Sequence, residues 1–228
     1  MGKGTVSKVA RYAKPTRLTR EQSRDLTRQR LLDAARGVFL SDGFAAASLE
    51  DITAAAGYTR GAFYSNFGCK QQLLLELLAR DQGATMARMR TIFDDQTLHG
   101  DMGSYLIQYY CECYRDNESH LLWTEAKLQA TRDARFRARF NVLMRNSLQA
   151  ATTYLAALAE RMGPPLPLSA AELALGLSAL FDGLQFYCLS NPQAGVNTNE
   201  LIKNILTNLC ARSGDVVNSS AVKERLQV

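Results

Sequence analysis

Residues 48–70 read SLEDITAAAGYTRGAFYSNFGCK, and the spacing predicts two short helices joined by a tight turn. Ser48 is placed to accept from the free N–H groups that open a helix, and Asp51 three residues on completes a capping box. Glu50 and Asp51 put negative charge in the first turn, where the helix dipole favours it. Leu49, Ile52, Ala55 and Ala56 form one apolar face, and Gly57 suits a left-handed close. Thr59 then caps a second helix from Arg60 to about Phe67, with Phe63 and Phe67 four apart on one side. The opposite side offers Arg60, Gly61, Tyr64 and Asn66: a cation, a gap, a phenol and an amide. Together they read as a helix-turn-helix whose second helix suits a DNA groove.

TRGAFYSNF, followed by Lys70 and a leucine run, resembles the signature of the tetracycline-repressor (TetR) family of bacterial regulators. The resemblance is specific from about Arg28 to Leu78 and only architectural beyond. It implies that Thr59, Arg60 and Gly61 face base edges, with Arg60 suited to the O6 and N7 of guanine. Gly61 would permit close approach, Tyr64 and Asn66 would touch backbone or a thymine methyl, and Ser48 and Lys70 would grip phosphates at helix N-termini. Phe63 and Phe67 are assigned to the core. Asn66 stands where the family commonly has a histidine, and Cys69 where it commonly has a capping serine. At Cys69 a helix end and Lys70 favour a thiolate, so redox sensing and ordinary drift at a cap both stay open.

Before this stretch, residues 1–20 carry six Lys/Arg, Arg17 and Arg20 among them, and no acid. Such a segment buries too little to offset its own ordering, so a disordered basic arm reaching DNA phosphates is expected. A first helix from about Glu21 to Leu40 follows, with Leu31, Ala35, Val38 and Phe39 as its core face and Ser41-Asp42-Gly43 as its stop. The expected core of the three-helix module is Leu31, Val38, Phe39, Ile52, Phe63 and Phe67. After it, Lys70 opens a long helix to about Phe93.

The charge is uneven. Residues 1–70 hold 12 Lys/Arg against 6 Asp/Glu, whereas residues 71–228 hold 15 against 16. The basic excess sits with the helix-turn-helix, where a polyanion would need it. No run reaches the roughly 18 uncharged apolar residues of a membrane span. Cysteines 69, 111, 113, 188 and 210 form no CxxC, which fits a reducing cytoplasm and no metal. No phosphate loop, GxSxG or GxGxxG occurs, and His99 and His120 have no evident catalytic partners, so neither enzyme chemistry nor a cofactor is expected.

The remainder reads as helices at 104–116, 120–131, 133–162, 169–190 and 198–212, broken at Gly163–Pro167 and after Asn191. Residues 173–189 and 201–209 are more apolar than one face requires. The resemblance implies that helices near 169–190 and 198–212 build a four-helix homodimer interface, where Gly176 and Gly183 would allow close approach. Glu125 lies with Leu121 and Leu128 on what reads as an apolar stripe, and a carboxylate there needs a partner. Two readings stand: an internal ion pair to Arg132, Arg135 or Arg139, or a pocket acid for a small molecule. Tyr109, Tyr110, Trp123, Phe181 and Phe186 would wall that pocket, or simply fill a core. The expected architecture is all-α: a basic arm (1–20), a three-helix DNA-binding module (21–70), a larger helical ligand-binding and dimerisation domain (71–214) and a flexible tail (215–228). The expected function is a homodimeric transcriptional repressor, released from a pseudo-palindromic operator by a small-molecule effector. A constitutive dimeric DNA-binding protein with no effector is the alternative.

Overall fold

Thr19 opens the first helix with a reciprocal cap: its Oγ1 accepts from the Gln22 N–H at 3.1 Å, and Gln22 Oε1 accepts from the Thr19 N–H at 2.9 Å. A computed structural model describes residues 19–94, 104–105, 108, 117–162, 168–193, 197 and 200–205. Residues 1–18 of the basic arm, Arg17 among them, Tyr109, Tyr110, the 163–167 break and the 215–228 tail lie outside those residues, while Arg20 already opens α1.

Seven helices carry the described chain: α1 Arg20–Ala46, α2 Leu49–Ala56, α3 Arg60–Tyr64, α4 Lys70–Asp94, α5 Asn117–Arg132, α6 Ala134–Met162 and α7 Ala170–Ser190. Residues 200–205 are helical as well. The expected stop of α1 is a kink rather than an end. Gly43 adopts φ +78°, and one further turn carries Phe44 inward before Ala47. Such a backbone angle is open to glycine and strained for L side chains.

α1 packs on α2, α4 and α5, while α4 also packs on α5 and α6, and α7 closes against α5 and α6. The buried cluster runs from the three-helix module into the larger part without a gap. It joins Leu31, Phe39, Phe44, Ile52, Phe63 and Phe67 to Leu73–Leu78 of α4, to Leu122, Ala126 and Ala130 of α5, and to Phe136 and Phe140 of α6. Val38, expected in the core, is partly buried at its edge.

The inner face of α5 is the correction with most consequence. Leu122, Ala126 and Ala130 point inward, whereas Leu121 and Leu128 are 37% and 47% exposed. The stripe that Glu125 shares with those two leucines is therefore an outer one. Alanines let α5 approach its neighbours closely, and the longer leucines one position away point elsewhere. α7 shows the reverse economy. Its inner face is Leu173, Ala174, Leu177, Phe181 and Gln185, and its outer face keeps Leu175, Leu180, Phe186 and Tyr187 in the open. By length and composition alone, α7 is the one helix among the described residues apolar enough to cross a membrane.

Candidate nucleic-acid interface

The helix-turn-helix forms from local signals. Ser48 is extended (φ −98°, ψ 161°), its Oγ accepts from the Asp51 N–H at 3.1 Å, and Asp51 Oδ2 accepts from the Ser48 N–H at 3.2 Å. The hydrogen bonds from Ser48 hold the Asp51 carboxyl below its ordinary value of 3.8. Gly57 turns left-handed at φ 70° to end α2, and the Tyr58 N–H reaches back to the Thr53 carbonyl at 2.8 Å. Thr59 Oγ1 then accepts from the Ala62 N–H at 3.3 Å to start α3. Phe63 and Phe67 turn inward, with ring centroids 5.7 Å apart.

What stays outside is polar and shallow. Thr59, Arg60, Gly61 and Tyr64 are all exposed. The Tyr64 ring stands edge-on to Phe63 at 5.4 Å, which fixes its direction. A Cβ at Gly61 would meet only Thr59 Oγ1 at 3.7 Å, an ordinary contact, so packing in the protein does not require glycine there. Arg60 Nη1 pairs with Glu50 Oε1 at 2.6 Å across α2 and α3. A hydrogen bond to Tyr64, and then the Glu50 charge, raise the Arg60 pKa further above its ordinary value. Arg20, the first residue of α1, is exposed too.

Two expected DNA contacts face inward instead. Lys70 Nζ donates to the carbonyls of Phe44, Ala45 and Ala47 at 2.6, 3.2 and 2.6 Å and lies 4.7 Å from the centre of the Phe44 ring. An ammonium has three donors, and all three are committed to the end of α1. Burial pushes the Lys70 pKa down, while carbonyl bonds that only the charged form can complete oppose that shift. Asn66 falls beyond the shorter α3. Its Nδ2 donates to the Ala62 carbonyl at 2.9 Å and to Ser65 Oγ at 3.2 Å, and its Oδ1 is buried. The residue that sequence reasoning missed is Arg28. It lies 4.4 Å from the centre of the Phe67 ring, donates to the Asn66 carbonyl at 2.6 Å and pairs with Glu76. It ties α1 and α4 to the segment that follows α3, and nothing in its local spacing announces that.

Of the expected pocket residues, the four described, Trp123, Glu125, Phe181 and Phe186, do not line one cavity. Glu125 Oε1 lies 3.3 Å from where a Cβ on Gly43 would stand, so Glu125 faces the kink of α1. No ion pair joins it to Arg132, Arg135 or Arg139 among the described residues. Trp123 packs on Phe140 at 5.9 Å against the shared core, Phe181 is fully buried, and Phe186 is 56% exposed.

Aromatic contacts instead form a chain between the two parts: Phe39–Phe44 at 5.4 Å, Phe44–Phe136 at 6.5 Å, Phe136–Phe140 at 5.9 Å and Phe140–Trp123. A polar node runs beside it. Arg36 of α1 meets Asp81 of α4 at 3.0 Å, and Ser119 and Glu118 of α5 at 3.2 and 3.5 Å. Farther along α5, Lys127 pairs with Asp182 of α7 at 2.6 Å. His120 and Gln185 are buried polar side chains on those same two helices.

The family described as bacterial regulatory proteins, tetR family, matches residues 31–77. Among relatives, the transcriptional regulator SrpR of Pseudomonas putida is 46% identical over 56 residues, which is 25% of this chain and 26% of that protein. The chain thus spans about a quarter of that relative's length. Among solved structures, Salmonella enterica GusR superposes with a TM-score of 0.67 at 20% identity, covering 85% of this chain and 98% of that one. The transcriptional regulator FadR of Bacillus subtilis, in complex with stearoyl-CoA, gives 0.67 at 16% identity over 80% of this chain and 97% of its own. At such identities the likeness extends the fold, not the function, past the matched module. Residues 31–77, the helix-turn-helix and the start of α4, thus carry the DNA-binding module of the tetR family of bacterial regulatory proteins.

Proposed function

We propose that the protein is a transcriptional regulator that binds double-stranded DNA through α3, most simply as a repressor of a pseudo-palindromic operator. The observation that carries this is the outer face of α3. Thr59, Arg60, Gly61 and Tyr64 project from a helix whose other side is locked by Phe63 and Phe67. Arg60 reads a guanine edge, Gly61 keeps the surface low, and Thr59 and Tyr64 contact backbone or a thymine methyl. Ser48 presents the N-terminus of α2 to a phosphate, and Arg20 with Arg17 extends the positive surface along the duplex.

Two copies assemble through the outer face of α7 and the helix containing residues 200–205. Leu175, Leu180, Phe186 and Tyr187 form an exposed apolar stripe, and Leu201 adds to it. A Cβ at Gly176 or Gly183 would meet nothing within 4 Å inside the protomer, so the room there is available to a second helix. A two-fold dimer places two α3 helices about one DNA turn apart, which calls for a palindromic site.

A small molecule controls DNA affinity, as the stearoyl-CoA complex of FadR suggests by analogy. Its site adjoins the buried polar residues of α5 and α7, His120 and Gln185, with Phe181. Burial lowers the His120 pKa first, with the Asp182 charge opposing and Lys127 adding, so the imidazole is neutral near pH 7. From there α5 reaches the reading head through the aromatic chain, the Arg36 node and Glu125 at Gly43. These are packed elements that both sites can bias.

Selection of bound fragments from random DNA, followed by a footprint, tests the proposal. A pseudo-palindrome with half-sites one helical turn or more apart is expected. A direct repeat or a single half-site would overturn the two-fold reading, and failure to enrich any sequence would overturn sequence-specific binding.

A further inference from the structure

The near-neutral balance of residues 71–228 hides a cluster. Between positions 132 and 145 stand Arg132, Arg135, Arg137, Arg139 and Arg145, against one acid, Asp133. That acid is engaged: its Oδ1 accepts from the backbone N–H groups of Arg135 and Phe136 at 2.9 and 3.0 Å, capping α6. Arg137 is partly committed too, donating to the Ala130 carbonyl at 3.0 Å. Arg132, Arg135 and Arg139 are exposed and form no ion pair among the described residues. Arg135 and Arg139 are four apart, on one side of α6.

Arg132 closes the last turn of α5, where a cation is favoured, but Arg135, in the first turn of α6, stands in the wrong place for helix stability. The N-terminus of a helix carries partial positive charge, which disfavours cations in its first turns, and no acid is present in the first turn of α6. A cluster that pairs with no acid among the described residues, one member of which opposes its own helix dipole, is well suited to an external anion.

Its location says which anion. Phe136, between Arg135 and Arg137, packs on Phe44, and Ala130 and Phe136 share a buried cluster with Phe44 and Ala47. Ala47 precedes Ser48, the cap of α2. Phe136 therefore brings the start of α6 beside the last turn of α1, which leads into the end of α2 farther from the turn into α3; eight residues of helix, about 12 Å, separate that end from the turn. The first helix of this motif crosses the DNA backbone, so the cluster lies over phosphates rather than base edges.

We propose that Arg132, Arg135 and Arg139 form a second, sequence-independent DNA contact, gripping backbone phosphates that flank the half-site read by α3. The proposal rests on the DNA-binding reading above. The contact gives affinity without sequence preference, and because it is carried by α5 and α6, movement of those helices alters it directly.

The test uses the full chain and the selected operator in two lengths, one trimmed to the footprint and one extended by a helical turn on each side. Affinity is measured across salt for wild type, for R132A/R135A/R139A and for R132K/R135K/R139K. On the long fragment the alanine variant should bind roughly 3- to 30-fold more weakly and lose salt slope, by about 0.9 per phosphate released. On the trimmed fragment it should match wild type, and the lysine variant should keep most of the slope. An alanine variant that matches wild type in slope and affinity on the long fragment would overturn this contact alone. An equal loss on both fragments would overturn its placement outside the half-site. Wild type that binds neither fragment would overturn the DNA-binding reading itself, and this contact with it.

Discussion

The outer faces of α3 and α7 are opposites. On α3 every large apolar side chain except Tyr64 turns inward, and the exposed cation, Arg60, is held by Glu50 until something better arrives. On α7 leucines and aromatics stay outside, Leu175 at 60% exposure and Tyr187 at 48%. A polar face held by one surface ion pair costs little to leave in water, whereas a contiguous apolar stripe asks for cover. On the proposed reading one surface is a part-time contact, with DNA, and the other a permanent one, between copies. A regulator that leaves DNA without falling apart needs that difference.

The sharpest way to break the contrast is on α7. Leu175→Glu with Phe186→Glu should dissociate the dimer while the protomer stays helical, since neither side chain is buried within it. Each buried apolar side chain is worth about 1.5–3 kcal/mol, and two-fold symmetry counts each twice. Sedimentation against concentration reads the effect, and an unchanged association constant would remove α7 from the interface.

Lys70 gives the next largest effect, on folding rather than on DNA. Lys70→Met removes three bonds from an ammonium and strands carbonyls at the end of α1. A loss of about 1.5–3 kcal/mol in unfolding free energy is expected, measured by denaturant titration. Unchanged stability with a flattened salt slope of DNA binding would restore Lys70 to the phosphates.

Arg60 and Glu50 sharpen the other side. Arg60→Ala should cost roughly 1–3 kcal/mol of operator affinity and relax one position per half-site. Glu50→Gln frees Arg60 and removes a negative charge beside the duplex, so it should tighten binding to every sequence. A Glu50→Gln protein that binds DNA more weakly would show that the pair orients Arg60 rather than restrains it.

The smallest effect is the cap of α2. Because Ser48 lowers the folded-state pKa of Asp51 below 3.8, its contribution is present above that unfolded value. It fades as pH falls through the folded pKa. Ser48→Ala, expected to cost about 0.5–2 kcal/mol, should abolish this acid sensitivity. A mutant that keeps the full acid dependence would place it elsewhere.

The parts of the fold that short-range spacing specifies were readable in advance. The Ser48–Asp51 box, the Gly57 close, the Thr59 cap and the long helix opening at Lys70 each depend on residues within one or two turns. The misreadings share a different cause. Lys70 finds acceptors 23 to 26 residues away, and no local pattern can distinguish a carbonyl from a phosphate as its target. Asn66 was assigned to the outer face on a helix running to Phe67, but α3 stops at Tyr64 and the amide folds back on Ala62. On α5, large leucines outweighed small alanines in the hydrophobic pattern, although close packing is what alanines permit. That one rotation sets Glu125 beside the α1 kink. Arg132, Arg135 and Arg139 form no ion pair among the described residues, with Glu125 or any other acid, and net charge by region conceals that.

The central claim is that the exposed face of α3 reads DNA sequence, and one titration tests it most directly. Wild type and Arg60→Ala are titrated against the selected operator and a shuffled fragment of equal length, across a range of salt. Wild type should prefer the operator at every salt concentration, with binding to both fragments weakening as salt rises. Arg60→Ala should lose most on the operator and little on the shuffled fragment. Equal losses on the two fragments would mean that Arg60 only holds phosphates, and that α3 does not read sequence through it.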